Sequence, residues 1–98
     1  MNAPVEPARI REHGTTVHVA KTADEFIAGC RDVLANGYAK INDELMDATT
    51  AGAMVAVWDA LNEKNRAITR NYYERWLIKG GERVALRTCV GLFWKFVK

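Results

Sequence analysis

The chain has 98 residues, 49% of them hydrophobic and 27% charged, a balance that suits one globular domain and excludes a wholly disordered polymer. No apolar run approaches the roughly 20 residues that a bilayer-spanning helix needs, and the opening MNAPVEPAR holds no apolar signal-peptide core, so the expectation is a cytoplasmic protein. The net charge of +2 hides a polarity: residues 1–61 carry −4 and residues 62–98 carry +6, which points either to an acidic or nucleic-acid partner for the back half or to halves that neutralise each other.

Residues 1–7, with Pro4 and Pro7, read as a flexible lead-in. Residues 8–20 read as a β element. A two-residue turn at His13-Gly14 sets Ile10 opposite Val17 and Ala8 opposite Val19. Those four then share a face, with Arg9, Arg11, Thr16 and His18 pointing the other way. A hairpin alone is marginal in water, so this one must lie on a helix or gain a strand from elsewhere.

Thr22-Ala-Asp-Glu25 is a capping box, in which Thr serves the orphan amides of a helix start and Glu reaches back. It opens a helix over 22–36 that buries Phe26, Cys30, Val33 and Leu34 and exposes Asp24, Arg31 and Asp32. Asn36-Gly37 ends it, because Gly accepts the left-handed conformation beyond a last turn. Residues 38–49 support two readings: Tyr38 to Ile41 as a short strand beside the hairpin, or Ile41, Leu45 and Met46 as one face of a short helix capped near Asn42. Thr49 or Thr50 then offers the next cap.

The central helical stretch, 50–79, carries the clearest stripe. Met54, Trp58, Leu61, Asn65, Ile68 and Tyr72 recur at steps of four and three, with Trp76 a turn further on. Asn62 can cap a new helix, which favours two helices, about 50–61 and 63–78, over one rod with Asn65 at a seam position. Gly80-Gly81 stops either form. Residues 82–97 read as a C-terminal helix with Leu86, Val90, Phe93 and Val97 on one face and Arg83, Arg87, Trp94 and Lys98 on another. The expected fold is mainly α, three to four helices with a small N-terminal β-strand or hairpin, as a single small α+β domain.

Signatures of catalysis are sparse. The chain has no serine, no Gly-rich phosphate loop and only two histidines, five residues apart, which suits no helical metal pair and reads as surface imidazoles. Cys30 and Cys89 lie on apolar stripes and read as buried thiols. Asp43, Glu44 and Asp47 form the one acidic cluster; Asp43 and Asp47 would share a solvated helix face. The expectation is therefore no enzyme, no metal and no cofactor.

What remains is binding. Lys64, Arg66, Arg70, Arg83 and Arg87 are the candidates for phosphate contact, in a segment that also holds Tyr72, Tyr73 and Trp76. A helix-turn-helix over Ala51 to Arg70 fails for want of a glycine turn and of the right apolar spacing. Tyr73, Trp94 and Phe96 sit off the principal stripes and are the candidates for an exposed protein-binding patch. Met54, Trp58, Leu61 and Ile68 offer a face for a homodimer. The terminal VGLFWKFVK could also touch a membrane surface, although its length favours core packing. The favoured reading is a non-enzymatic protein-interaction module, an accessory or regulatory protein of bacterial or phage type; the alternative is a nucleic-acid-binding regulator using the basic half.

Overall fold

The structure, a computed structural model of the chain, describes residues 8–12 and 15–97, with side chains from Thr16 onward. The expected lead-in at 1–7, the His13-Gly14 turn, the side chains of Ala8 to Arg11 and Lys98 lie outside the described residues. Strands β1 (Ala8–Glu12) and β2 (Thr15–Val19) are followed by helix α1 (Ala23–Asn36), strands β3 (Ala39–Ile41) and β4 (Glu44–Met46), and helices α2 (Ala48–Ala60) and α3 (Glu63–Trp94). The sheet has the order β1-β2-β3-β4, with β2 and β3 parallel and the outer pairs antiparallel. The parallel pair requires a crossover, and α1 supplies it. The result is a small compact α+β domain with a Cα radius of gyration of 12.6 Å, the size expected for a folded chain of this length.

Local chemistry accounts for most boundaries. The hairpin register has Ala8 opposite Val19 and Ile10 opposite Val17, as the alternation around His13-Gly14 predicts. The Thr22 hydroxyl accepts from the Glu25 amide at 3.1 Å, while the Glu25 carboxylate accepts from the Lys21 amide at 2.9 Å, one residue further back than a strict capping box. Gly37, at φ 93°, closes α1, and its amide donates to the Val33 carbonyl at 2.8 Å. Asn62 caps α3 through the Asn65 amide at 2.9 Å, so the central stretch is two helices.

Residues 38–49 follow the strand reading and then go beyond it. Asn42 and Asp43 both have positive φ, 50° and 68°, and form a two-residue turn that folds β4 back on β3. No helix passes through Asp43 and Asp47, so their expected shared helix face does not exist. Asp47 instead caps α2, accepting from the Thr50 amide at 2.8 Å, and the helix begins at Ala48 rather than after Thr49 or Thr50. That hydrogen bond holds the Asp47 carboxyl below its ordinary value.

α3 is two helical arms joined across a kink at Gly81, whose φ of 85° and ψ of −177° fall in a region essentially reserved for glycine. Two arms result, 63–80 and 82–94. The second stops at Trp94, short of the expected residue 97. Gly81→Ala is expected to lower unfolding free energy by about 1–3 kcal/mol, measured by chemical denaturation. An unchanged midpoint would show that the chain can run straight there.

The core gathers Phe26, Ile27, Cys30 and Val33 of α1, Ile41 and Met46 of the sheet, Met54, Val57 and Trp58 of α2, and Tyr73, Leu86, Cys89 and Phe93 of α3. Two sequence expectations fail here. Leu34 is 47% exposed although it shares the arc of Ile27 and Cys30, because it lies in the last turn of α1, at the edge of the core. His18, expected on the outward face, is wholly buried. α1 crosses the sheet on the His18 side, and the missing side chain of Gly29 makes room: a Cβ there would stand 3.8 Å from His18 Cγ and 3.0 Å from Ile41 Cδ1.

Candidate functional site

Three cations of the basic half, Arg70, Arg83 and Arg87, meet acids of the front half. Arg70 grips Asp24 with two hydrogen bonds of 2.8 and 3.2 Å and reaches Glu63 at 2.7 Å. Together these carboxylates hold its guanidinium firmly charged. Arg83 and Arg87 converge on one Glu44 oxygen, at 2.9 and 2.6 Å. Arg66 donates to the Trp58 carbonyl at 3.2 Å, and both Arg66 and Arg70 lie 5.4 Å from the centre of the Trp58 ring. Among the candidate phosphate-binding residues, Arg70, Arg83 and Arg87 make ion pairs among the described residues, whereas Arg66 reaches only backbone carbonyls and Lys64 stands in neither group. Arg70, Arg83 and Arg87 thus spend their charge on acids inside the fold.

The Glu44 cluster carries a pH signature. Hydrogen bonding from Arg83, then Arg87, holds the Glu44 carboxyl below its ordinary 4.5. A depressed folded value means that the cluster stabilises the fold above that ordinary pKa and loses its effect as pH falls through the folded value. Wild type should therefore melt higher than Glu44→Gln near neutral pH, and the gap should close on acidification. A gap independent of pH would show that the carboxylate charge is not what Arg83 and Arg87 recognise.

Asn42 is the junction of the molecule, a role the sequence did not signal. Its amide donates to the His18 carbonyl at 3.0 Å, and its side-chain oxygen accepts from the Ala20 amide at 2.7 Å. Its Nδ2 shares two protons among the Ala20 carbonyl at 3.0 Å, the Tyr73 hydroxyl at 3.1 Å and the Glu82 carbonyl at 3.1 Å. The Tyr73 hydroxyl in turn donates to the Ala20 carbonyl at 2.8 Å. Sheet, β4 turn and both arms of α3 are tied at one buried point.

This network overturns one candidate. Tyr73 is wholly buried, stacked on Phe26 at 6.2 Å, and its burial pushes the phenol well above its ordinary value. It is core, not docking surface. The proposed dimer face fails in the same way for Met54 and Trp58, both buried within the chain; Leu61 is half-buried, and Ile68 is exposed. α3 starts afresh at Asn62 with a new rotation, so the stripe counted across residues 54–76 is not one face.

Trp94 and Phe96 are exposed as expected, at 41% and 63%, with Val97 beside them. One helical turn before Trp94 lies a groove of about 290 Å³, lined by Leu45 and Met46 of β4, Leu86, Val90 and Gly91 of α3, and rimmed by Glu44, Thr50 and Arg87.

No family model, curated protein or solved structure matches this chain.

Chemistry-bearing groups elsewhere are enclosed. His18 Nε2 bonds Asp32 Oδ2 at 2.8 Å, whereas its Nδ1 has no hydrogen-bond partner. Cys30 and Cys89 are free and buried, and burial pushes the Cys30 thiol up to about 12. Cys89 is raised in the same way, so neither supplies a thiolate near neutral pH. Among the described residues no cluster of three His, Cys, Asp or Glu side chains is placed to hold a metal ion, and no helix is long and apolar enough to cross a membrane.

One further surface stands out on the first arm of α3. Tyr73, Thr69 and Leu77 turn inward, so Lys64, Ile68, Tyr72, Arg75, Ile78 and Lys79 share the opposite, exposed face. Tyr72 stacks on Trp76 at 5.9 Å, and the Arg75 guanidinium lies 5.9 Å from the Tyr72 ring centre.

Proposed function

We propose that this chain is a small protein-binding module, serving an accessory or regulatory role, that docks its partner through the end of α3 with Trp94 and Phe96 as anchors. The carrying observation is that two large aromatic side chains remain exposed at the end of α3, whose residues Val90 and Gly91 line the β4 groove about a turn earlier. Aromatic anchors next to a groove are the usual makings of an interface hot spot. The nucleic-acid reading is the weaker one, because Arg66, Arg70, Arg83 and Arg87 already have acceptors inside the chain.

The double variant Trp94→Ala plus Phe96→Ala tests this. Both side chains are surface groups, so unfolding free energy should stay within about 0.5 kcal/mol of wild type. A complex recovered with tagged wild-type protein from its native cells should be lost. A large fall in thermal stability would show that Trp94 is packed, and a retained complex would move the docking site elsewhere. Fluorescence anisotropy with a labelled random duplex should show no binding at physiological salt; tight, salt-sensitive binding would favour the nucleic-acid reading instead.

A further inference from the structure

The exposed face of the first arm of α3 mixes cations with apolar side chains. Lys64, Arg75 and Lys79 provide three cations on it, Ile68, Ile78 and Tyr72 provide apolar area, and it carries no acid. Ile78 is 77% exposed, and Ile68 and Tyr72 are over two-fifths exposed. Acids border it only on the Ile78 side: Glu63 and Asp24 are engaged by Arg70, and Glu74 lines the same pocket as Asp24 and Ile78. From Lys64 to Lys79 the face runs about 22 Å along the helix axis.

The covering partner must therefore be anionic and must also have something apolar to offer. A second copy pairing through this same face fails the first condition, since cations would meet with no acid between them. A nucleic acid meets the first but gains little from two isoleucines. An anionic bilayer surface meets both conditions. Its headgroups would lie against Lys64, Arg75 and Lys79, and Ile68 and Ile78 would enter the boundary below them, with Tyr72 at the headgroup level where aromatic rings are favoured. We propose that this face of α3 rests on anionic lipid, making the chain a peripheral membrane protein independently of what Trp94 and Phe96 bind.

Co-sedimentation of the full chain with vesicles of phosphatidylglycerol and phosphatidylcholine tests the proposal against vesicles of phosphatidylcholine alone. Binding should require the anionic lipid and weaken as salt rises. Each cation near such a surface contributes about fivefold to partitioning, so Lys64→Glu, Arg75→Glu and Lys79→Glu together should reduce it by at least about a hundredfold. Ile68→Ser plus Ile78→Ser, which leaves every charge in place, should weaken binding about tenfold or more. Circular dichroism should show both variants folded, since the substituted side chains are exposed.

Absence of binding to anionic vesicles at low salt would overturn the proposal, as would equal binding to phosphatidylcholine alone. Unchanged binding in the isoleucine variant would refute insertion. Loss of vesicle binding in Trp94→Ala with the triple variant unaffected would place the membrane contact at the end of α3 instead. Tighter binding to oligo-dT than to vesicles, lost in the triple variant, would reassign the face to nucleic acid.

Discussion

Asn42→Ala should lower the free energy of unfolding by about 3–5 kcal/mol, a large share of the roughly 5–15 kcal/mol that holds a domain together. Two effects add. Removal of the side-chain amide leaves the buried Ala20 amide without its acceptor at 2.7 Å and the Glu82 carbonyl without its donor at 3.1 Å. Each buried group so orphaned costs about 1–3 kcal/mol. Alanine must also adopt φ 50°, where asparagine is tolerated and alanine is not. Asn42→Gly separates the two effects, because it relieves the backbone but restores no hydrogen bond. It should recover about 1 kcal/mol and no more. Tyr73→Phe, which removes one member of the network, should cost less than either. Urea denaturation of the series is the measurement. A loss under about 1 kcal/mol for Asn42→Ala would mean that the junction between sheet and α3 is not closed in solution.

Trp58→Ala should cost a comparable amount, about 3–5 kcal/mol, through the cavity left by an almost wholly buried indole. Trp58 is 5% exposed at the contact of α2 with α3, under the guanidinium groups of Arg66 and Arg70. The same residue was expected from its periodicity to face a second copy of the chain. Protein concentration distinguishes the two roles. Loss of a core residue destabilises the fold equally at every concentration, whereas loss of an interface residue opens a gap to wild type that widens as protein concentration rises. The structure requires the first result. A Trp58→Ala variant as stable as wild type when dilute, but weaker when concentrated, would return Trp58 to an interface.

His18 shows where alternation misleads. Its place in the period-2 pattern of β2 was read correctly, since it alternates with Val17 and Val19, yet the face was inverted. The valines are half-buried beside a cleft bounded by Gly80 to Arg83, while the imidazole lies under α1. Apolarity decides which side of a strand is buried only when one face of the sheet is open to water, and here both are partly covered. The hint was in α1 itself, where Gly29 sits on a helix face otherwise filled by apolar side chains and leaves room for a ring.

The α2–α3 region fails for a related reason. Asn62 was legible as a cap, and two helices followed from it, but a stripe counted through a cap assumes that rotation about the axis continues. It does not, because the two residues between the helices turn the axis. Ile68 and Tyr72, apolar by type, therefore face water, and Tyr73, one residue on, becomes the centre of the core.

What the amino-acid sequence determined by itself was local: the hairpin register, the caps at Thr22 and Asn62, and the stops at Gly37 and Gly81. Each follows from groups within a few residues of one another, whose hydrogen bonds and allowed dihedral angles do not wait for the rest of the chain. Tertiary structure alone decided that the cations of α3 would meet Asp24 and Glu44, that Asn42 would bind Ala20, Tyr73 and Glu82, and which face of the first arm of α3 would be left outside. Those outcomes depend on how helices cross the sheet, and that is set by the packing of side chains distant in sequence.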